Sequence, residues 1–120
     1  MAEHPAEVAE ITRSSHALAL NLGNITDARM KSMPESLKIA ASLHIPVMLD
    51  LVGTACSNLR YEFAQKLLSH SQPLSQSLLV VSSLDYFPTI VQIHLLEMEV
   101  SYRFVEDINI ACRFLRKYIP

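Results

Sequence analysis

The chain has 120 residues, with 10 Lys and Arg against 12 Asp and Glu, a formal charge of −2, and only 2 glycines, Gly23 and Gly53. Two isolated glycines exclude a dinucleotide-binding fingerprint and a Walker A loop, because both motifs need several glycines close together to let the backbone approach phosphate. Nucleic acid is not expected as a partner either, since no basic run is longer than Arg116-Lys117 and phosphate binding requires clustered positive charge.

The length and the 50% hydrophobic content predict one globular domain. Cys56 and Cys112 stand far apart and no signal peptide is recognisable, so we expect ordinary thiols in a cytoplasmic protein rather than a disulfide framework or a zinc site. The uncharged stretch at residues 67–84 is rich in serine and glutamine, whereas a bilayer span needs about 20 mostly apolar residues. The sequence therefore predicts no contact with a membrane.

The first predicted elements are a short helix and a strand. A proline opens residues 5–14 and acidic residues follow it near the positive end of the helix dipole, which indicates a helix with Val8 and Ile11 as its buried contacts. The apolar run at residues 16–22 stops at Gly23 and is typical of a strand buried on both faces.

The next elements complete one supersecondary unit. Thr26 is the predicted N-cap of a helix. Pro34 inside this helix would lose a hydrogen bond and clash with the preceding turn, which predicts two shorter helices with a new first turn at Pro34. A second apolar strand at residues 47–49 ends in Asp50. Strand, helix and strand together span about 35 residues, the size of one βαβ unit with parallel strands.

In a βαβ unit, ligands bind beyond the carboxyl ends of the parallel strands. Residues 21–24 and residues 50–54 are predicted to lie there. Asp50 leaves a buried strand just before a glycine turn, so its carboxylate is well placed to hold a metal ion or to orient a phosphate. The alternative is that Asp50 only caps the loop backbone, and the residues by themselves leave both possibilities open.

The second half contains four further predicted elements. A helix at residues 60–68 is amphipathic, with Phe63, Ala64, Leu67 and Leu68 as its inward side chains. The remaining predictions are a strand at residues 78–81, a turn at residues 85–88 and a helix at residues 99–118.

Two segments together resemble one known family. They are Asn-Leu-Gly-Asn-Ile-Thr at residues 21–26 and Ile-Pro-Val-Met-Leu-Asp-Leu-Val-Gly at residues 45–53, with Arg60 beyond them. This pattern resembles hydroxyethylthiazole kinase, a thiamine-salvage enzyme of the ribokinase-like superfamily, over residues 1–73. The resemblance implies an α/β fold, here a three-layer ribokinase-like fragment with a βαβ core of parallel strands and flanking helices. Residues 74–120 form a tail without resemblance, expected to be a strand followed by mainly helical structure.

The resemblance also implies roles for five residues. Met1, Asn21 and Gly23 match substrate-binding positions of the family. Asp50 and Gly53 match positions near ATP, and Asp50 also matches a position close to the magnesium ion. For Met1 the alternative is that it is merely the initiator.

Other parts of the family pattern are changed or absent. Leu51 replaces a proline and loosens the turn after Asp50, while Arg60 matches a common arginine that we expect to be a structural ion-pair partner. The glycine-containing nucleotide motifs and the Gly-Thr-Gly anion hole with its catalytic base have no counterpart, so no catalytic residue is assigned. Neither Cys56 nor Cys112 lies in a glycine-rich helix start that would suit that role. We hypothesise that residues 74–120 are an out-of-frame tail of a disrupted kinase gene.

The resemblance implies ATP-dependent phosphorylation of the hydroxyl of 4-methyl-5-(2-hydroxyethyl)thiazole. Mg²⁺ is the implied cofactor, ATP the co-substrate and a homotrimer the implied assembly. Because the nucleotide motifs and the base are absent from the sequence, the chain alone is expected to be inactive. Two alternatives stay open, a catalytically inactive fragment and a non-catalytic interaction protein that associates with itself or with full-length chains.

Overall fold

A computed structural model describes residues 3–54, 56–71, 73–74, 78–81 and 103–105. Within these residues, four parallel strands form one sheet in the order β1-β2-β3-β4. The predicted α/β fold with parallel strands is confirmed. No helix in this described part is long and apolar enough to cross a bilayer. In chain order, the elements are α1 (Val8–Arg13), β1 (Leu18–Asn21), α2 (Asp27–Ser42), β2 (Val47–Asp50), α3 (Asn58–His70), β3 (Leu78–Val81) and β4 (Arg103–Val105).

The core lies against one face of the sheet. Leu20, Leu49 and Val80 are in register on neighbouring strands, so their side chains share that face. They join one buried cluster with Leu37 of α2 and Phe63 of α3. Burying a side chain of this size contributes about 1.5–3 kcal/mol. The inward residues predicted for α3 are confirmed, because all of them are buried: Phe63, Ala64, Leu67 and Leu68.

β1 and β2 differ in how far they are buried. All residues of β2 are buried, whereas Ala19 and Asn21 of β1 are exposed. The prediction that residues 16–22 form a strand buried on both faces is therefore wrong. The physical reason is the position of β1, which is an outer strand of the sheet formed by the described residues. A short apolar run does not show whether its strand will be central or at an edge.

α1 begins at Val8, later than predicted, and packs on α2 through Val8 and Thr12, both of which are buried. Residues four positions apart share a helix face, so these two side chains define the packed side. Ile11 stands at the border of that side and remains 44% exposed. The prediction that Ile11 is buried is wrong because the polar Thr12 takes the position against α2.

α2 is one continuous helix with Pro34 in its interior. Its N-cap is Thr26 as predicted, with Oγ1 accepting a hydrogen bond from the Arg29 main-chain N–H at 3.2 Å. The predicted division into two helices is wrong. Pro34 removes one main-chain donor, but it is buried together with Met33 and Leu37, and the packing of this turn offsets the loss.

α2 ends in a turn that glycine usually occupies. The main-chain N–H of His44 donates to Ala41 O at 3.4 Å and that of Ile45 donates to Ala40 O at 2.8 Å, a Schellman motif. His44 therefore adopts a left-handed conformation with φ of 56°. This region costs a side chain with a Cβ about 1–2 kcal/mol relative to a right-handed conformation.

Replacing His44 by glycine is expected to stabilise the chain. Relief of the left-handed strain exceeds the extra entropy of glycine in the unfolded chain, so His44→Gly raises the free energy of unfolding by about 0.5–1 kcal/mol. His44→Val is the matched control and lowers it, because a β-branched side chain tolerates positive φ worst. Urea midpoints measure both effects, and equal midpoints for the two variants contradict this account.

His70 is the last residue of α3 and lies near two positive charges. Partial burial, together with Lys38 of α2 and Lys66 of α3, holds the pKa of His70 below its ordinary value of 6.5. The folded chain then binds fewer protons than the unfolded chain just below that pH. The free energy of unfolding consequently falls as the pH drops below 6.5 towards the folded-state pKa, and it recovers above 6.5.

Removing the histidine is expected to weaken this pH dependence. His70→Gln should lose less stability between pH 7.5 and pH 5.5 than the parent chain, since glutamine takes up no proton. Lys38→Gln should also lose less stability than the parent chain over this pH range, because one of the repelling charges disappears. Urea unfolding at both pH values measures the difference, and a parent-like loss in His70→Gln would show that other groups cause it.

Two described segments of the second half, residues 78–81 and 103–105, extend the same sheet. The predicted third strand is confirmed as β3, which pairs in parallel with β2 and buries Leu78 and Val80. The helix predicted at residues 99–118 is wrong for Arg103–Val105, which form β4 beside β3. Short apolar runs are ambiguous between helix and strand, and Phe104 and Val105 also favour strands. The rest of that predicted helix and the turn at residues 85–88 lie outside the described residues.

Candidate functional site

The carboxyl ends of β1 and β2 meet at one edge of the sheet. Asn21 and Asp50 are the last residues of their strands and are paired in register. Nδ2 of Asn21 donates a hydrogen bond to Oδ2 of Asp50 at 2.9 Å. The expectation that residues 21–24 and residues 50–54 lie side by side is thus confirmed, and a direct hydrogen bond joins them.

The Asn21 side chain also shapes its own loop. Its Oδ1 accepts a hydrogen bond from the main-chain N–H of Gly23 at 2.6 Å. A Cβ at position 23 would lie 2.8 Å from that oxygen, closer than carbon and oxygen can approach. Gly23 is therefore required by a close approach, and Asn21 links the loop after β1 to the carboxylate after β2.

Asp50 is completely buried. Its Oδ1 accepts a hydrogen bond from the main-chain N–H of Val52 at 3.1 Å, while Oδ2 accepts the one from Asn21. A buried carboxylate is costly unless hydrogen bonds compensate its lost hydration. Asp50 thereby fixes the first turn after β2 relative to the end of β1.

The turn after Asp50 contains the second glycine. Gly53 has a φ of 80°, which favours glycine, and a Cβ there would lie 3.1 Å from Cδ of Arg60. The side chain of Arg60 thus packs directly over the Gly53 backbone. α3 holds the arginine at that place, because its N-cap Ser57 accepts a hydrogen bond from the Arg60 main-chain N–H at 3.2 Å.

The guanidinium of Arg60 reaches from α3 to the loop after β1. Nη1 donates to the carbonyl oxygen of Leu22, and Nη2 donates to that of Gly23 at 3.4 Å. The sequence predicts an ion pair for this arginine, and among the described residues its partners are these main-chain carbonyl groups, so the ion pair stays a prediction. Arg60 therefore joins the loops after both strands, which sequence spacing alone does not reveal.

A divalent cation has little to bind in this arrangement. Both oxygens of Asp50 already accept hydrogen bonds, and in the part of the chain that the structure describes no three His, Cys, Asp or Glu side chains group to hold a metal ion. Mg²⁺ prefers an octahedral shell of oxygen ligands. The described residues supply one carboxylate at this edge and leave the rest of such a shell to water and phosphate oxygens, so Asp50 as a magnesium ligand stays a prediction.

The other residues singled out in the sequence lie apart from this edge or outside the described residues. Met1 and Cys112 fall outside them. Cys56 is an exposed free thiol in the loop before α3. The described residues thus bring together Asn21, Gly23, Asp50 and Gly53 of the predicted site, and add Arg60.

Beside β1 lies an open cavity of about 290 Å³. Its walls come from α1, β1 and α2, and Asn21 and Arg29 are among its polar groups. Arg29 is held by an ion pair with Glu3 at 3.4 Å and by a hydrogen bond from Nη1 to the carbonyl oxygen of Asn24 at 2.9 Å. Sequence reasoning missed this cavity, since it depends on how two helices flank an edge strand.

A parallel sheet with polar side chains clustered beyond the carboxyl ends of adjacent strands defines an open α/β protein of the ligand-binding class. Both glycines lie in the loops at that edge. The buried carboxylate of Asp50 ends β2, and Arg60 of α3 reaches both loops. Residues 1–75 match the hydroxyethylthiazole kinase family, and the chain belongs to that family.

Individual relatives agree with this assignment. Hydroxyethylthiazole kinase 2 of Clostridium botulinum strain Langeland is 53% identical over 73 residues, which cover 61% of this chain and 28% of the relative. The enzyme of Finegoldia magna is 46% identical over 70 residues, which cover 58% of this chain and 26% of the relative. The chain therefore spans less than a third of the curated relatives that it matches.

A solved structure shares the fold. The hydroxyethylthiazole kinase protein of Pyrococcus horikoshii OT3 superposes with a TM-score of 0.61 and 25% sequence identity, covering 70% of this chain and 31% of that protein. The shared fold thus corresponds to less than a third of that protein.

Proposed function

We propose that this chain provides part of a hydroxyethylthiazole kinase, which transfers the γ-phosphoryl group of ATP to the hydroxyl of 4-methyl-5-(2-hydroxyethyl)thiazole. One observation carries the proposal. The hydrogen-bonded pair of Asn21 and Asp50 at the ends of two parallel strands lies inside the segment that matches the kinase family. Ligands of open α/β proteins bind at such strand ends.

Within this proposal, the loop after β1 contacts the thiazole. Asn21 is exposed, lines the cavity beside β1 and is held in place by Gly23 and Asp50. An amide oriented by two hydrogen bonds presents a fixed polar contact to a ligand at low entropic cost. Met1 and Gly23 are the other proposed substrate contacts.

The loop after β2 is proposed to face ATP. Gly53, whose φ of 80° sets the turn of this loop, is the residue that we propose lies beside the phosphates, as the family resemblance implies. Asp50 keeps that turn in place through its hydrogen bond with Val52. ATP supplies the phosphoryl group, and no step is assigned to Mg²⁺, because the described residues do not form its site. A homotrimeric assembly and a cytoplasmic location stay predictions from the sequence.

Binding of the thiazole alcohol to the full chain tests this proposal. Titration with 4-methyl-5-(2-hydroxyethyl)thiazole, followed by NMR, should perturb residues of the loop after β1. Asn21→Ala should weaken binding about tenfold, the effect of losing one well-oriented hydrogen bond to a ligand. Asn24→Ala is the matched control in the same loop and should bind as the parent chain does.

Phosphorylation is measured separately with ATP and Mg²⁺ present. We expect no turnover by the chain alone, because the family's nucleotide motifs and catalytic base are absent from its sequence. Absence of thiazole binding at millimolar concentrations, or equal binding by Asn21→Ala and the parent chain, would contradict the proposal. That outcome would favour the inactive fragment.

A further inference from the structure

A single cation lies among the described residues that line the cavity beside β1. It is the guanidinium of Arg29, and the other polar side chains of this lining are uncharged amide and hydroxyl groups. They belong to Thr12, Ser15, Asn21, Ser32 and Ser36. An unbalanced positive charge would draw anions into such a cavity. The electrostatic surroundings of Arg29 therefore decide which class of ligand the cavity favours.

Glu3 supplies the charge that balances Arg29. Its Oε1 lies 3.4 Å from Nε of Arg29 and accepts a hydrogen bond from Oγ1 of Thr26 at 2.8 Å. The same threonine oxygen accepts the hydrogen bond from the Arg29 main-chain N–H. Because Thr26 is the N-cap of α2, the carboxylate of Glu3 is fixed to the first turn of the helix that carries Arg29.

The guanidinium of Arg29 is also attached to the loop after β1. Its Nη1 donates a hydrogen bond to the carbonyl oxygen of Asn24, three residues beyond Asn21. The side chain of Arg29 is 16% exposed, whereas that of Glu3 is 41% exposed. Water and salt screen a shielded charge much less than an exposed one. The carboxylate of Glu3 is therefore the main counter-charge of this cation.

A balanced ion pair gives an anionic ligand little in return for its lost hydration. Opposite charges a few ångströms apart largely cancel at the distance of a ligand in the cavity. A carboxylate or a phosphate ester that enters the cavity is costly to desolvate unless it meets an unpaired cation. A neutral alcohol loses less hydration, and it still hydrogen-bonds with the amide of Asn21. Leaving the wrong ligand without a partner is a general route to specificity.

We propose that Glu3 sets the charge selectivity of this cavity. By pairing with Arg29, it makes the cavity favour an uncharged heterocyclic alcohol over anionic derivatives of the same ring, including the phosphate ester that the proposed reaction forms. This inference rests on the proposed function, which places the thiazole against Asn21 in this cavity. Glu3 acts on the ligand through Arg29, so it is a positioning residue rather than a ligand contact.

Titrations of the full chain with two ligands of different charge test the proposal. The neutral ligand is 4-methyl-5-(2-hydroxyethyl)thiazole, and the anionic one is (4-methylthiazol-5-yl)acetate, in which a carboxylate replaces the hydroxymethyl group. At low ionic strength, the parent chain should bind the alcohol at least about tenfold more tightly than the acetate. Glu3→Gln should bind the acetate about tenfold more tightly than the parent chain does, with its affinity for the alcohol changed by less than about twofold.

Further variants separate the local ion pair from other effects. Glutamine at position 3 keeps an acceptor for Thr26 and removes only the charge, and Glu3→Ala is a second variant that should raise the affinity for the acetate in the same way. Glu10→Gln is the matched control, since it removes the same charge from an exposed position of α1 that does not line the cavity. It should leave both affinities unchanged. Adding Arg29→Gln to Glu3→Gln should cancel the gain for the acetate, because the unpaired cation is then absent.

The other results have defined meanings. If the Glu3 variants keep the preference of the parent chain, or lose affinity for both ligands alike, Glu3 does not set the selectivity and the proposal is wrong. An equal gain in Glu10→Gln also overturns it, because net charge is then the cause. In these cases a parent chain that binds the alcohol retains the proposed function. A parent chain that binds neither ligand at millimolar concentrations contradicts the proposed function, and this inference with it.

Discussion

The double variant Asn21→Asp with Asp50→Asn is expected to be nearly as stable as the parent chain, whereas each single substitution destabilises the chain. Asp50→Asn turns the buried acceptor into an amide whose N–H groups face those of Asn21, and leaving buried donors unsatisfied costs about 2 kcal/mol. Asn21→Asp places two carboxylates where the amide and the carboxylate now meet at 2.9 Å, and repulsion costs at least as much. In the double variant, the amide at position 50 donates to the carboxylate at position 21.

Urea unfolding of the four chains gives the coupling between the two positions. We expect a coupling free energy of about 3 kcal/mol, with Gly23 N–H still bonded to the side chain at position 21 in the double variant. Asn24→Asp is the control, an equivalent change in the same loop, and it should shift stability by less than about 0.5 kcal/mol. Additive losses in the double variant would mean that the hydrogen bond between Asn21 and Asp50 does not hold the strand ends together.

Arg60→Met is expected to loosen the loops after both strands. The substitution keeps the apolar stem over Gly53 but removes the hydrogen bonds to the carbonyl oxygens of Leu22 and Gly23. Hydrogen bonds to charged groups contribute about 1.5–3 kcal/mol, so the free energy of unfolding should fall by about 2 kcal/mol. The stability of Arg60→Lys should lie between those of the parent chain and Arg60→Met, because an ammonium group cannot donate to both carbonyls in the planar geometry of a guanidinium.

The scarcity of glycine makes this prediction simple to observe. With 2 glycines in the chain, ¹⁵N-glycine labelling yields one amide signal from the loop after β1 and one from the loop after β2. Arg60→Met should shift both signals, whereas the control Arg13→Met, at the exposed end of α1, should shift neither. A shift confined to Gly53 would show that Arg60 does not connect the two loops.

Several elements were predictable because local chemistry determines them. The apolar spacing of Phe63, Ala64, Leu67 and Leu68 defines the buried side of α3, and Thr26 caps α2 through its own hydroxyl. The positions of Asn21 and Asp50 at strand ends follow from the same kind of pattern. Each of these patterns depends on residues a few positions apart along the chain, so the folded protein keeps the local structure that the pattern predicts.

Other features depended on contacts between distant residues. Pro34 lies inside a helix because its surroundings bury it, and Ile11 is exposed because Thr12 faces α2. Arg103–Val105 form a strand because β3 presents an edge to pair with. Local preferences amount to about 1 kcal/mol per residue or less, and to about 3 kcal/mol for a proline inside a helix. Tertiary packing and sheet pairing outweigh them at these positions.

The sequence by itself determined the class of fold, the family resemblance and the strand ends at which the two glycines lie. Only the tertiary structure decided which groups meet there: Asn21 with Asp50, and Arg60 with the carbonyl oxygens of Leu22 and Gly23. It also decided that β1 and β4 are the outer strands of the sheet in the part of the chain that the structure describes. The physical reason is range, because periodicity and capping act between neighbours along the chain, whereas these hydrogen bonds join residues 29 to 38 positions apart.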